Sequence, residues 1–140
     1  MVENGHPNPL HSAAHYSKQK IVEQLLAQGA SLHQQHTGRG GLPIHWATEG
    51  TVEICNLILD AGADVNSRAI ADDERNGMTP LIYCAWWCGD CNDCIAIAKN
   101  LIERGADINS RDAEGKTAVD RAKQQGHLKL AKALEEMGCP

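Results

Sequence analysis

The sequence predicts an all-α solenoid, four helix–turn–helix units stacked side by side and joined by extended hairpin-like loops. Three observations carry this reading. A helix-ending glycine recurs at Gly29, Gly62, Gly105 and Gly138, at spacings of 33, 43 and 33 residues. An opening motif precedes each glycine by 19 to 25 residues: Asn8-Pro9-Leu10, Leu42-Pro43-Ile44, Thr79-Pro80-Leu81 and Thr117-Ala118-Val119. Between opener and glycine, every unit carries apolar pairs one helical turn apart. Self-similarity at such a period is the sequence signature of a repeat architecture.

Each element follows from its residues. Asn8, Thr79 and Thr117 offer a side-chain oxygen to the first helix of their units, and Pro9, Pro43 and Pro80 take the first helical position, where a missing N–H costs nothing. Leu42 stands where the second unit needs such a cap. The first helices carry small residues, Ala13-Ala14, Ala47, Cys84-Ala85 and Ala122, which allow close approach to a partner helix. The second helices carry Ile21-Val22 with Leu25-Leu26, Ile54-Cys55 with Ile58-Leu59, Ile97-Ala98 with Leu101-Ile102, and Leu130-Ala131 with Leu134. That is one apolar stripe at helical spacing. The glycine after it permits the left-handed residue that ends a helix. One such pair cannot bury its stripe alone, so stacking supplies the core.

The units span about 4–36, 37–69, 70–111 and 112–138 of a single domain over 1–140. The second is one residue short in its inter-helix turn. The 43-residue spacing hides two insertions, around Ile70 to Arg75 and around Trp86 to Cys94. Both flank the third unit and mark it as the specialised one.

These residues resemble the ankyrin repeat, a 33-residue unit with the pattern T-P-L-H-x-A. Asn8-Pro9-Leu10-His11-Ser12-Ala13-Ala14 is similar to that motif, and Gly62-Ala63-Asp64-Val65-Asn66 is echoed by Gly105-Ala106-Asp107-Ile108-Asn109. Thr117 to Glu136, with Gly126-His127 at the turn, resembles a terminal repeat. The motif histidine appears as His11 and His45, with Ile82 and Asp120 in its place elsewhere. The resemblance implies a concave face built from first helices and loops, with the fifth motif position pointing into it: Ser12, Trp46, Tyr83 and Arg121. Just outward lie His15-Tyr16, Glu49, Trp86-Trp87 and Gln124-Gln125. The expected partner-binding residues are therefore Ser12, Tyr16, Trp46, Glu49, Tyr83, Trp86, Trp87, Arg75, Arg111 and Arg121. Trp and Tyr dominate binding hot spots, and an exposed aromatic cluster marks an interaction site. The alternative for any one Trp is local core under the insertion. The loop tips add His36, Arg39, Arg68, Asp72, Asp73, Glu74, Asp112 and Glu114, of which the acidic run Asp72-Asp73-Glu74 suits a basic partner patch or a solvated loop.

Composition narrows the function. The formal charge is −5 with both signs scattered, which argues against nucleic acid and anionic membrane surfaces as partners. No segment approaches the roughly 18 apolar residues of a membrane span. Met1 to Pro9 has no apolar stretch of signal-peptide type, so a cytoplasmic location is expected. No phosphate loop, no Ser/His/Asp arrangement and no dinucleotide fingerprint is present; Gly38-x-Gly40-Gly41 reads as a loop. No enzyme and no cofactor is expected.

Six cysteines are present, four of them Cys84, Cys88, Cys91 and Cys94. Their spacing suits convergence on zinc, but Cys84 and Cys55 fall where the repeat wants a small buried residue. Free or structural thiols are the primary expectation, with a metal site or a disulfide such as Cys88 with Cys94 as alternatives. The functional expectation is a non-catalytic module, monomeric when free, that covers a partner protein with its concave face, as an inhibitor, immunity-type protector or adaptor. The alternative is a metal- or redox-responsive switch at Cys84, Cys88, Cys91 and Cys94.

Overall fold

The computed structural model describes residues 9–35, 40–88 and 92–140. Eight helices occur among them, and no strand: α1 (Pro9–His15), α2 (Gln19–Ala27), α3 (Pro43–Ala47), α4 (Val52–Asp60), α5 (Pro80–Trp87), α6 (Asn92–Glu103), α7 (Ala118–Gln124) and α8 (Leu128–Glu136). They pair as four units. The odd-numbered helices form an inner layer and the even-numbered ones an outer layer, each helix packing on its layer neighbours.

The capping residues act as their types dictate. Thr79 Oγ1 accepts from Ile82 N–H at 3.3 Å, and Thr117 Oγ1 from Asp120 N–H at 3.2 Å. Asp120 closes the reciprocal bond by accepting from Thr117 N–H at 3.0 Å. Leu42 has no side-chain oxygen to offer α3. His45 supplies the other half of the box, its Nδ1 accepting from Leu42 N–H at 3.1 Å. Asn8, expected to cap α1, lies outside the described residues.

The outer stripe forms the core as its pattern requires. Val22, Ile54, Cys55, Ile58, Ile97, Ala98, Leu101, Leu130, Ala131 and Leu134 are buried. Complete burial of an Ile or Leu is worth about 1.5–3 kcal/mol. The stacking logic shows at the edge. Ile54 is 0% exposed, but Ile21, at the same position of the first unit, is 47% exposed, with no described unit before it to cover it. Gly105 adopts φ +101°, which lets Ala106 N–H reach back to Leu101 O at 2.9 Å and close the end of α6.

The insertions take different forms. The first is a loop pinched at its base, where Ala69 N–H donates to Met78 O at 2.9 Å and Gly77 N–H to Ala69 O at 2.8 Å. The second contributes helix at both of its ends among the described residues. Trp86 and Trp87 end α5, and α6 runs 12 residues against nine for α2, α4 and α8. Polar side chains stitch the loops together. Gln35 Oε1 accepts from Gly41 N–H and Ile70 N–H at 2.8 and 2.9 Å, and Arg68 donates to Gly77 O and Arg111 O at 2.8 and 2.6 Å.

Candidate partner-binding site

The inner helices place Ser12, Trp46, Tyr83 and Arg121 at one register position, as the repeat predicts, but the loops close over that column. Trp46, Tyr83 and Arg121 are only 5%, 2% and 1% exposed, and Ser12 is half-buried. The expectation that Trp46, Tyr83 and Arg121 lie open to a partner is thus corrected. Each has a physical reason to be inside. Trp46 donates its indole N–H to Gly40 O at 3.1 Å, while His11 and His15 meet its ring edge-on at 5.7 and 5.6 Å. Gly40 allows this because its loop runs against the next one. A Cβ there would stand 2.2 Å from Ile70 O, and its φ is +73°.

Tyr83 is sealed by Glu49. Its hydroxyl donates to Glu49 Oε2, and His15 Nδ1 hydrogen-bonds Glu49 Oε1. The Glu49 side chain is buried and acts as an internal link, joining three units through one carboxylate. His45 lies edge-on to Tyr83 at 5.8 Å and hydrogen-bonds Met78 O through Nε2 at 2.7 Å. Burial pulls the His45 pKa down to about 4, so it is neutral at neutral pH.

Arg121 is held by three carboxylates. Nε donates to buried Asp112 at 2.7 Å, Nη2 to Glu114 at 3.1 Å, and Nη1 faces Glu74 at 3.5 Å. Nη1 also donates to Gln124 at 3.0 Å. A buried guanidinium needs partners for all its donors, and loops from two units supply them. Reading the sequence alone missed these partners. The only local signal is the Asp112 to Thr117 loop preceding α7.

What stays open lies just outward. Tyr16, after α1, and Trp87, ending α5, share a register position and are 67% and 44% exposed. Trp86 is half-buried between Tyr83 and Trp87, with centroids 5.8 and 6.4 Å away. It donates its indole N–H to Glu74 Oε1 at 2.9 Å, and the Arg75 guanidinium stands 6.0 Å from its ring. Arg75 is ion-paired with Asp73, and that hydrogen bond holds the Asp73 carboxyl below the usual range. Arg111 is exposed and donates to Gly115 O at 3.1 Å.

The cysteines divide. Cys88 and Cys94 form a disulfide, correcting the primary expectation of free thiols for that pair. The bond ties the end of α5 to the first turn of α6, and it takes two sulfurs out of any thiolate set made with Cys84 and Cys91. Cys91 lies outside the described residues, as do His36 and Arg39. No group of His, Cys, Asp or Glu among the described residues is arranged to hold a metal ion. Cys84 is core, and Cys55 donates to Ala47 O at 3.3 Å, its thiol pushed up to about 12 by burial. On the outer side, a cleft of about 170 Å³ is lined by Gly50, Thr51, Val52, Glu53, Asp93 and Ile97. It is smaller than the roughly 300–1,000 Å³ of small-molecule sites. No described helix is long and apolar enough to cross a membrane.

Comparison with known proteins places this geometry. Residues 2–69 match a family model of tandem ankyrin repeats in three copies, and residues 76–113 match a model of the single ankyrin repeat. The chain is 30% identical over 132 residues to transient receptor potential cation channel subfamily A member 1 of Drosophila melanogaster, covering 93% of this chain and 10% of the relative. It is 32% identical over 108 residues to an ankyrin repeat protein of Rickettsia felis, covering 74% of this chain and 45% of the relative. With diacylglycerol kinase iota of Rattus norvegicus it shares 35% over 117 residues, 83% of this chain and 10% of that protein. The chain thus spans less than half the length of each.

Proposed function

Because the chain belongs to the ankyrin repeat family, whose repeats are general protein–protein interaction modules, we propose that it works by binding another protein along its inner, loop-side edge, as an inhibitor, protector or adaptor. The observation that carries the site is the exposure of Tyr16 and Trp87 at one register position, flanking a face on which Trp46 and Tyr83 are buried and Trp86 is half-buried. Large, rigid aromatic surfaces left in water on an otherwise closed face favour a partner there. Trp86 and Arg75 border that edge, Ser12 lies half-buried one helical turn before Tyr16, and Arg111 is exposed on the loop before α7.

The reading makes the bound chain an occluding cover with no chemistry of its own. The test is affinity capture with the intact protein and with the Tyr16→Ala/Trp87→Ala variant. Both residues are exposed, so circular dichroism and thermal melting are expected to stay unchanged while the specifically captured partner is lost. Undiminished capture by the double variant sinks the reading.

A second reading is favoured by the Cys88–Cys94 bond, which lies directly beside Trp86 and Trp87. A dithiol reductant would donate two electrons and two protons, leaving two cysteine thiols here and a disulfide on itself. The end of α5 would then be untied from α6, making the aromatic edge redox-responsive. Thiol titration in denaturant is expected to find at least two more reactive groups after reduction than before it. Six before reduction rules this reading out.

A further inference from the structure

We propose that the aromatic edge takes a cationic segment of the partner, an arginine- or lysine-bearing stretch whose side chain lies on Trp86 and Trp87 with its charge at Glu74 and Glu114. This rests on the binding edge proposed above and adds the chemistry of what binds there.

The docking surface is the tryptophan pair at the end of α5, tilted 39° to one another with Trp87 open to solvent. Its rim is electrically lopsided. One guanidinium, that of Arg121, serves three carboxylates: Asp112, Glu114 and Glu74. Asp112 is fully buried and makes the closest bond. Glu74 and Glu114 reach the same cation at longer range with about half of each side chain exposed. The cluster therefore carries negative charge in excess, and the excess faces water. Asp72 adds another exposed carboxylate nearby. Arg75 is paired with Asp73, while Arg68 and Arg111 keep their charge as they donate to loop carbonyls and offset the excess in part, which leaves it local to Glu74 and Glu114. Trp86 joins ring and rim through its bond to Glu74.

The ring system already tolerates a cation, since the Arg75 guanidinium sits over Trp86 within the roughly 6 Å reach of cation–π attraction. An apolar partner would desolvate Glu74 and Glu114 without repaying them, and an acidic one would be repelled. A side chain with an apolar stem and a cationic head satisfies ring and rim together.

The test is fluorescence anisotropy of a labelled peptide of alternating arginine and glycine, with a twin in which glutamine replaces arginine, titrated with the intact protein. The arginine peptide is expected to bind at least about tenfold tighter than its twin, weakening as salt rises from about 50 to 200 mM. Trp87→Ala and Glu114→Gln are each expected to weaken it by about three- to tenfold. Glu23→Gln, which removes the same charge from α2, is expected to change it less than about twofold. Equal weakening by Glu23→Gln would show attraction to net charge alone and overturn the proposal, as would equal binding of the twin or no binding. If partner capture depends on Trp87 while the arginine peptide is ignored, the edge stands and its cationic chemistry falls. If neither depends on Trp87, the edge itself falls.

Discussion

The outer and inner layers of this stack share one apolar core, but the inner layer adds buried polar pairs to it. In α2, α4, α6 and α8 an apolar stripe meets the next apolar stripe, and Ile54, Ile58 and Leu101 vanish from solvent. In α1, α3, α5 and α7 apolar burial, as at Leu10, Ile44, Leu81 and Ile82, is joined by buried polar pairs: Trp46 to Gly40, Tyr83 and His15 to Glu49, Arg121 to Asp112 and Glu114. The first kind of cohesion is graded and forgiving, because each methylene contributes a little. The second is not, because removing one partner strands the other. This chain thus carries its stability on the outer side mainly through contact area and on the inner side through contact area and pairing together.

Arg121→Ala breaks the comparison most forcefully. It leaves Asp112 buried and unpaired, and a loss of about 3–5 kcal/mol is expected in urea unfolding. If Arg121 acted as an open binding residue, the variant would retain its stability and lose only affinity. Neutralising Asp112 as well, Arg121→Ala/Asp112→Asn, is expected to recover part of the loss, since the stranded charge is gone while Oδ1 still accepts from Glu114 N–H and Lys116 N–H.

This difference also explains what the sequence made legible. The outer layer was readable because its signal is local: Ile97-Ala98 and Leu101-Ile102 state a helical stripe in six residues, and its burial follows. The caps at Thr79 and Thr117 are local in the same way. The register of the inner column is legible from the repeat spacing, but its exposure is not. Whether Trp46 or Tyr83 faces water depends on residues about 30 positions away in sequence, His11 and His15 for Trp46 and Glu49 for Tyr83. A polar residue such as Arg121 gives no sign in sequence that a carboxylate waits for it inside. The insertion around Trp86 to Cys94 was located, while its use, an added turn on α6 and a disulfide, required packing to decide.

Acid tests the same contrast through one residue of the inner layer. His45 titrates at about 4 in the folded chain against an ordinary 6.5, chiefly because burial disfavours its charged form. The unfolded chain takes up the proton first as pH falls, so the stability tied to neutral His45 is complete above about 6.5 and is lost between there and about 4. The size is on the order of 3 kcal/mol. Urea unfolding across that window is expected to show a steeper loss for the wild type than for His45→Gln, which has nothing to protonate. Parallel slopes would mean that His45 is not held neutral by the inner layer.

The smallest effect lies at the joint between layers, in the turn from an inner helix to its outer partner. Gly126 makes that turn in the last unit with φ +79°, and Ser17 makes it in the first with φ +56°, the one non-glycine with positive φ among the described residues. Side chains disfavour this left-handed backbone by about 1–2 kcal/mol, offset in part by the greater freedom glycine has when unfolded. Ser17→Gly is therefore expected to stabilise by about 0.5–1 kcal/mol, raising the melting temperature by about 2–4 °C. Ser17→Ala keeps a Cβ and the same strain, so it is expected to gain nothing. A gain from alanine equal to that from glycine would move the cause from backbone strain to the serine hydroxyl. Because the joint feeds both layers, the glycine variant is expected to leave the pH slope of His45 and the penalty at Arg121 unaltered, raising both curves together.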